Sequence, residues 1–373
     1  MYIVIGADFV PTESNRDFFI NGKIEKLVGE ELKEILQNAS YRIFNLEVPL
    51  TDKETPILKE GPNLSAPTSC VAGYTALNVN LLTLANNHIL DQGNQGLTST
   101  IRLLDENGIF HVGAGLDLSN ASHPFIFSFG EKRVGIYACA EYEFSIAGDN
   151  KPGANPFDPL ESLDHISKMK GMCDYCVVLY HGGKEHYRYP SPYLQKVCRK
   201  MVEKGADLIV CQHSHCVGCR EEYLHGTIIY GQGNFIFDNE NNEFWNTSVL
   251  LKLHDSCKVD YIPIIKTGNV VRLANDVEAN KILSGFFERS EEINKPGLIE
   301  KKYSEFAEKN GDNYMIYLSG IGDNIIFRLI NKLSGYRFQN IWAKRYRRHY
   351  KSVIRNYIEC EAHRELLLKS LQL

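Results

Sequence analysis

Potential metal ligands follow five separate apolar runs of this sequence. They are Asp8, Glu47, Asn87 with His88, His181, and His213 with His215. Two carboxylates, an amide and several imidazoles form a mixed oxygen and nitrogen set, which suits Mn, Fe or Zn better than a thiolate-only site does. Two adjacent divalent ions clamp an in-line displacement at phosphorus and lower the pKa of a bridging water. The residue types therefore predict a centre of two divalent ions that hydrolyses phosphoesters.

The segment 81–91, with the sequence LLTLANNHILD, combines a ligand candidate with candidates for acid catalysis. Asn87 is predicted to bind a metal ion, and its neighbour His88 is predicted to protonate the leaving oxygen. Asp91 is predicted to orient and charge the His88 imidazole. Glu47 is the candidate for the carboxylate that bridges the two ions.

Each of these residues also has a purely structural explanation. A histidine after a strand is more often a loop residue than a ligand, and amides such as Asn87 suit turns. Asp8 and Glu47 could instead cap the helices that follow them. The same pattern at five strand ends favours a shared site, because five independent coincidences of one kind are improbable.

Alternating strand-like and helix-like segments predict that the candidate ligands meet at one edge of a sheet. Residues 2–8 and 41–47 are strand-like, and a helix-like segment separates them. Ser191 and Pro192 are the predicted N-cap and first residue of a helix, and the strand after this helix ends near His213. Ligands collect beyond the carboxyl ends of the strands in layered α/β folds. The fold class expected is therefore α/β, with some antiparallel pairing in the second half.

Near residue 275 the sequence changes from alternating strand-like and helix-like segments to helix-like segments alone. We expect an α/β domain over residues 1–275 and a helical region with a basic tail over residues 276–373. The segment 337–373 contains nine Lys or Arg and three Asp or Glu. Its aromatic stripe from Phe338 to Tyr357 has two interpretations. Packing onto the domain is favoured, because packing alone requires such a stripe, and contact with anionic lipid or an anionic polymer is the alternative.

Composition limits the class of protein. The 373 residues are 43% hydrophobic, which supports a sizeable core and argues against disorder. The net charge of −5 gives no indication of a nucleic-acid partner. The first residues lack a signal-peptide pattern, and no window reaches the roughly 20 apolar residues of a membrane span. We therefore expect a cytoplasmic protein, with peripheral contact to a membrane left open by the basic tail.

Ten cysteines include two Cys-x-x-Cys pairs, Cys173/Cys176 and Cys216/Cys219. A zinc site needs two such pairs that converge on one ion. Cys176 runs directly into a strand-like segment, and the pairs are further apart than in compact zinc ribbons. We interpret these cysteines as small buried hydrophobic residues, and metal or redox chemistry is the alternative.

Five motifs, spaced over about residues 1–238, resemble those of a known family. They are GADFVPT (6–12), NLEVPLT (45–51), the segment 84–115 that begins LANNHILD, the segment 181–221 that contains HGGKEH and CQHSH, and IIYGQGNFIFD (228–238). In order and spacing the chain resembles the CapA-type capsule or poly-γ-glutamate biosynthesis proteins, a branch of the calcineurin-like metallophosphatase superfamily. The resemblance implies a four-layer α/β/β/α sandwich with the site at one edge of the paired sheets.

The resemblance also implies how the ligands divide between the two ions. One ion would be held by Asp8, Glu47 and His215. The other would be held by Glu47, Asn87, His181 and His213. His88 would be the acid, and Asn234 would lie near the site and contact substrate.

One departure from the superfamily pattern affects the first ion. Metallophosphatases at large carry Asp-x-His on the first strand, whereas this chain has Val10 at the histidine position. That ion is therefore one ligand short. Glu185 matches an acidic residue of the family pattern in the segment after His181. It is predicted to supply the missing ligand or to bind substrate. Lys59 and the polar segment 51–69 are predicted substrate contacts, since loops of that length are often functional.

These observations predict a metal-dependent phosphoester hydrolase in capsule, exopolysaccharide or poly-γ-glutamate biosynthesis. The alternative is a non-catalytic, metal-binding accessory subunit of a capsular polymer synthesis complex. The expected partners are a phosphorylated or anionic polymer-related substrate and membrane-bound capsule synthesis proteins. A ligase that joins glutamates would require a Walker-type phosphate-binding loop, and the sequence contains no such motif.

Overall fold

The computed structural model describes residues 1–238, 242–321, 324–335, 337–344 and 348–371, and their side chains except those of residues 340, 343, 344 and 348. The strands are β1 Tyr2–Asp8, β2 Tyr41–Asn45, β3 Leu81–Thr83, β4 Phe110–Val112, β5 Ala114–Gly115, β6 Phe125–Phe129, β7 Lys132–Ala140, β8 Gly153–Ala154, β9 Tyr175–His181, β10 Leu208–Gln212, β11 Arg220–Tyr223, β12 Gly226–Ile229, β13 Thr247–His254, β14 Val259–Thr267 and β15 Val270–Leu273.

Helices alternate with these strands in the first part of the chain and follow one another in the last. They are α1 Arg16–Ile20, α2 Glu30–Gln37, α3 Val71–Ala76, α4 Gly93–Glu106, α5 Leu118–Ala121, α6 Ser162–Lys170, α7 Pro192–Glu203, α8 Glu243–Asn246, α9 Asp276–Glu292, α10 Leu298–Leu318, α11 Ile325–Leu333, α12 Arg337–Lys344, α13 Arg348–Glu359 and α14 Glu361–Ser370. The predicted N-cap Ser191 accepts a hydrogen bond from the Leu194 N–H at 3.0 Å, and Pro192 begins α7.

Two large sheets form the centre of the fold. One has the strand order β15-β14-β13-β1-β2-β3-β4 and the other β11-β12-β10-β9-β7-β6. Strands β1 to β4 are mutually parallel, as are β7, β9, β10 and β12. The carboxyl ends of each parallel set therefore point the same way. The predicted antiparallel pairing of the second half is present in β13, β14 and β15.

The burial pattern of β9 shows how the layers stack. Val177 and Leu179 belong to the core shared with the seven-stranded sheet, whereas Val178 and Tyr180 pack with buried residues of α6 and α7. Successive strand residues face opposite sides, so this strand is covered by a sheet on one side and by helices on the other. Helices α2, α3 and α4 contribute buried residues to the core of the seven-stranded sheet. The predicted four-layer α/β/β/α sandwich is confirmed.

Two buried glutamines connect the sheets close to their carboxyl ends. Gln212, the last residue of β10, donates from Nε2 to the Gly6 carbonyl at 3.1 Å, and Gln232 donates to the Ile5 carbonyl at 3.0 Å. Buried amides of this kind are costly unless they are hydrogen-bonded. These bonds therefore fix β1 relative to β10, two of the five strands whose ends carry candidate ligands.

Contacts divide the chain into two compact units, Met1–Ile299 and Glu300–Leu373. The boundary predicted near residue 275 lies before α9, whose contacts place it with the first unit. Phe286 of α9 is fully buried and packs at 5.2 Å from the ring of Tyr261. The described residues after 275 form α-helices that are joined by turns and short connections.

The described residues from 337 onward form the helices α12, α13 and α14. The rings of Phe338 and Trp342 lie 5.5 and 6.1 Å from Phe327 of α11, so this part of the predicted aromatic stripe packs. Tyr350 and Tyr357, further along the stripe, are 57% and 46% exposed. Tyr346 of the same stripe lies outside the described residues. No helix among the described residues combines the length and the apolarity that a membrane span requires.

The cysteines behave as the sequence suggests. Cys173, Cys176, Cys216 and Cys219 are buried free thiols. Among the described residues, the groups whose geometry could hold a metal ion contain only histidines and carboxylates. Cys173, Cys176 and Cys219 belong to the hydrophobic core on the helix-covered side of the six-stranded sheet.

Candidate metal centre

The predicted ligands converge at the edge where the strands of both sheets end. Asp8 is the last residue of β1, Glu47 follows β2, Asn87 follows β3, His181 ends β9, and His213 with His215 follow β10. The convergence follows from the parallel strands and from the stacking of the two sheets. All but Asn87, which is partly exposed, are buried.

Four potential ligand atoms surround one point beside His181. Its Nε2 lies 3.1 Å from Asn87 Oδ1, 3.3 Å from Glu47 Oε1 and 3.0 Å from His213 Nδ1. In a neutral imidazole, Nε2 either donates one hydrogen bond or accepts one, so hydrogen bonding accounts for at most one of these three contacts. A divalent cation satisfies all four atoms, because each offers a lone pair. The residues thus fit the predicted second ion.

A second group of potential ligands lies beside the first. Asp8, Glu47 and His215 each offer an atom within 4.8 Å of the others. His215 Nδ1 is 3.4 Å from Asp8 Oδ2 and 2.8 Å from Asn234 Oδ1, so the predicted position of Asn234 near the site agrees with the geometry. Glu47 belongs to both groups, which is the position required of a bridging carboxylate.

Glu185 lies at the open side of this centre. A carboxylate oxygen of Glu185 is within 4.8 Å of ring nitrogens of His213 and His215, although the residue as a whole is exposed. Val10 occupies the position of the absent first-strand histidine and lines a cavity above the ligands, as Glu185 does. Both predicted roles of Glu185, metal ligand and substrate contact, are compatible with this position.

The carboxylates of the centre are buried without enough hydrogen-bond donors. Among the residues that the structure describes, no hydrogen-bond partner contacts either oxygen of Glu47 or Oδ2 of Asp8. Burial raises the pKa of Glu47 to about 8, and the nearby Asp8 carboxylate adds to the increase. An unpaired buried carboxylate costs several kcal/mol in effective terms. Bound cations would remove that cost.

The pKa values of the three buried histidines differ because their surroundings differ. Burial lowers the pKa of His181 to about 4 and that of His213 well below its usual range, so both rings are neutral near pH 7 and keep a lone pair for a metal ion. Burial also acts to lower the pKa of His215, but the Glu47 and Asp8 carboxylates outweigh it and raise the value to about 9. Binding of a metal ion at His215 therefore displaces a proton.

These pKa shifts predict that the metal-free protein loses stability above pH 6.5. Between pH 4.5, the ordinary pKa of a glutamate, and about pH 8, Glu47 is protonated in the folded state but ionised in the unfolded state. Between pH 6.5 and about 9, His215 is likewise protonated in the folded state but neutral in the unfolded state. The folded state then binds more protons than the unfolded state, so stability falls as pH rises. His181 acts in the opposite direction, but only between about 4 and 6.5.

Thermal melting of the protein in EDTA and in excess Mn²⁺ or Zn²⁺ tests this prediction. We expect the melting temperature in EDTA to decrease by several degrees from pH 6.5 to 8, while the stabilisation by metal grows over the same interval. The variant Glu47→Gln should reduce both effects, since it removes one of the titrating groups. A metal-induced stabilisation that is independent of pH would contradict the assignment.

His88 is held by a buried pair of opposite charges. Its Nδ1 lies 2.6 Å from Asp91 Oδ2, and the same oxygen accepts the Leu64 N–H at 2.6 Å. Asp91 is fully buried and forms an ion pair with Lys59 through its other oxygen. With the carboxylate at Nδ1, the ring has Nε2 left for exchanging a proton with substrate. The predicted pairing of Asp91 with His88 thus agrees with the geometry.

Lys59 is not placed as an open substrate contact. Its side chain is 3% exposed, and Nζ lies 3.2 Å from His88 Nδ1 as well as beside Asp91. The position favours a role in fixing Asp91 and His88 over direct contact with substrate. Sequence alone could not indicate this, because Lys59 and Asp91 meet only through the fold of the polar segment 51–69.

A cavity of about 650 Å³ opens above the ligands. It is lined by Val10, Pro11, Thr12, Glu13, Val48, Pro62, Asn63, Leu64, Ser65, His88, Glu185, His186, His215, Phe237, Asp238 and Trp245. Four of these residues, 62–65, come from the polar segment 51–69, which is predicted to contact substrate. The cavity gives a substrate access to His88 and His215 at the same time.

Two further residues support the centre. Asn45 donates to Asp8 Oδ1 at 2.7 Å, and its own Oδ1 accepts bonds from Thr83 and Asn86. Its position two residues before Glu47, at the end of β2, is a signal that sequence analysis could have used. Trp245 stacks on the His215 ring with centroids 4.5 Å apart. No local pattern marks Trp245, because its partner lies far away in the sequence.

Comparison with known proteins agrees with the motifs. Residues 14–239 match the family model of the bacterial capsule synthesis protein PGA_cap. The chain is 28% identical to the capsule biosynthesis protein CapA of Bacillus anthracis over 75% of its own length and 71% of that protein. It is 29% identical to the PGA biosynthesis protein CapA of Bacillus subtilis (strain 168) over 63% of its own length and 64% of that protein.

The chain thus covers slightly less than two thirds of the Bacillus subtilis protein. Among solved structures, a phosphatase from Mycoplasma pneumoniae is similar, with a TM-score of 0.43 and 16% identity over 71% of this chain and 93% of that one. The family match extends over more than half of the chain and includes Glu47, Asn87, His181, His213 and His215. The chain belongs to the bacterial capsule synthesis protein PGA_cap family.

Proposed function

We propose that this protein is a divalent-metal-dependent phosphoester hydrolase that acts in the biosynthesis of a capsule, an exopolysaccharide or poly-γ-glutamate. The proposal rests on the Glu47 carboxylate, which is fully buried and shared by two groups of potential ligands. Within the described part of the chain it has no hydrogen-bond partner. A carboxylate between two ions is the arrangement used to clamp a phosphoryl group. The names of the curated relatives support the biosynthetic context.

The ligand sets follow the two groups at the strand ends. Asp8, Glu47 and His215 would hold one ion. Glu47, Asn87, His181 and His213 would hold the other. When bound, such ions supply a Lewis acid for the phosphoryl oxygens and lower the pKa of a coordinated water. Mn, Fe and Zn all suit this mixed donor set.

The remaining chemistry belongs to residues of the chain. His88 lies at the cavity and donates a proton from Nε2 to the leaving oxygen. Asp91 holds the ring through Nδ1 and stabilises the imidazolium that acts as the acid. Lys59 neutralises the buried Asp91 and fixes its orientation. Trp245 stacks on His215 and keeps that ring in place.

The cavity restricts the class of substrate. None of its described lining residues is Lys or Arg, Glu13 and Glu185 are acidic, and the third carboxylate, Asp238, is paired with Lys266 at 2.8 Å. The phosphate charge must therefore be met by the bound ions, and a long polyanion would be repelled by the walls. We propose a phosphoester whose organic part is neutral and hydroxylated, such as a phosphorylated precursor of the polymer.

Elemental analysis combined with a phosphatase substrate panel tests the function. We expect about two Mn, Fe or Zn ions per chain and hydrolysis of a generic phosphodiester or monoester. Treatment with EDTA should abolish turnover, and the metal should restore it. A metal-free, inert preparation that cannot be reconstituted would overturn the proposal.

A second candidate function has its own observation. Val10 stands where many metallophosphatases have a histidine, so the first ion has fewer ligands. A non-catalytic, metal-binding accessory subunit that works with membrane-bound capsule synthesis proteins agrees with this feature. Stoichiometric metal without hydrolysis of any substrate in the panel would favour this second function.

A further inference from the structure

Helix α11 exposes a continuous aliphatic face. Ile325, Ile326, Leu329, Ile330 and Leu333 are 76, 69, 61, 42 and 80% exposed. The opposite side of the helix packs on α12, where Phe327 contacts Phe338 and Trp342. At 100° per residue the five exposed side chains span an arc of about 140° on the helix. Contiguous exposed apolar surface of this kind usually marks a binding surface.

The same part of the chain is uniformly basic. Residues 324–358 contain nine Lys or Arg and no Asp or Glu. By helical spacing, Arg328 and Lys332 border the aliphatic face of α11 on one side. Such side chains bury their aliphatic stems and keep the charged ends at a polar boundary. The surface therefore combines aliphatic insertion with positive charge.

We propose that α11 lies in the interface of an anionic lipid membrane and holds the protein at that surface. Its aliphatic face would enter the boundary between headgroups and acyl chains, and Arg328 and Lys332 beside that face would contact lipid phosphates. The nine residues of α11 extend about 13 Å, much less than the roughly 30 Å of the hydrocarbon core. The helix therefore lies in the plane of the membrane. This attachment does not depend on the hydrolase function.

Two other occupants fit the surface less well. A symmetric contact between two copies of the chain would bring two strongly basic segments together, and this repulsion costs energy. Nucleic acids are bound by charged, polar and aromatic side chains, which leaves five exposed aliphatic residues without a role. An anionic lipid surface uses both the charge and the aliphatic face.

Vesicle co-sedimentation of the full chain tests the proposal. We expect binding to vesicles of phosphatidylcholine with phosphatidylglycerol, little binding to phosphatidylcholine alone, and weaker binding as salt rises. The double variant Leu329→Ser with Leu333→Ser should bind at least about tenfold more weakly, because apolar surface no longer inserts. The charge variant Arg328→Gln with Lys332→Gln should bind about 30-fold more weakly, since each cation beside the aliphatic face adds a similar contribution.

Matched variants elsewhere control for composition. Leu160→Ser with Leu224→Ser replaces leucines that are 80% and 74% exposed in the first unit, and it should leave vesicle binding unchanged. Lys23→Gln with Lys26→Gln is the corresponding charge control. Circular dichroism should show the same helicity in every variant, because the replaced side chains are exposed.

Three outcomes would overturn the proposal. The first is no binding to anionic vesicles. The second is binding that the two leucine substitutions leave as strong as in their control. The third is unchanged vesicle binding in the leucine variant together with a loss of another interaction. That interaction would be self-association, measured by light scattering, or RNA binding, measured by a filter assay.

Discussion

Replacing His181 by alanine is expected to lower phosphoester hydrolysis by about 1,000-fold and to remove one metal ion per chain. His181 Nε2 lies within 3.3 Å of Asn87, Glu47 and His213, so it is central to one group of ligands. A bound ion supplies several kcal/mol of charge stabilisation in the transition state, and about 4 kcal/mol corresponds to a factor near 1,000. Metal content per chain and turnover of a phosphodiester are the measurements.

The variant His165→Ala is a matched control for this prediction. His165 lies on α6, where its ring is 3.2 Å from the hydroxyl of Tyr137 on the helix-covered side of the sheet. We expect normal metal content and less than a twofold change in turnover. If His181→Ala kept two ions and full turnover, the proposed ligand set would be wrong.

Replacing His88 by asparagine is expected to lower turnover by about 100- to 10,000-fold while the metal content stays normal. General acid catalysis by a positioned side chain contributes rate factors of this size. His88 makes its polar side-chain contacts with Asp91 and Lys59. Its loss should therefore act on kcat and leave KM nearly unchanged.

The leaving group makes this test specific for an acid. A p-nitrophenyl ester needs little protonation, so we expect its hydrolysis to fall less than tenfold in His88→Asn, whereas an alkyl ester loses the full factor. The variant His111→Asn is a control, because His111 also pairs with a carboxylate, Asp105, at 3.2 Å, but near the surface. Substitution of the neighbour Asn87 by alanine should instead reduce metal content. Equal losses for both esters would show that His88 does not act as the acid.

Much of the centre could be predicted from the sequence because each ligand follows its own strand. Asp8, Glu47 and His181 stand at or just after the ends of apolar runs, and parallel strands place such ends at one edge. The alternation of strands and helices likewise predicted the layers, which the burial pattern of β9 confirms. The roles of the individual ligands stay predictions until metal content and turnover are measured.

Other features depended on contacts that no local pattern encodes. Lys59, expected at the substrate, is buried against Asp91 because the segment 51–69 folds over the loop after β3. Trp245 reaches His215 from helix α8. Helix α9, expected in the C-terminal region, packs on the first unit through Phe286.

The sequence by itself determined which chemical groups are present and where along the strands they occur. Strand and helix periodicity are local, so they can be recognised from neighbouring residues. Only the tertiary structure decided which of these groups lose water and which charges they face. Burial without hydrogen-bond donors among the described residues supports Glu47 as a ligand, and the exposed aliphatic face is the basis for the lipid surface proposed at α11. Both properties depend on contacts between segments that are distant in the sequence.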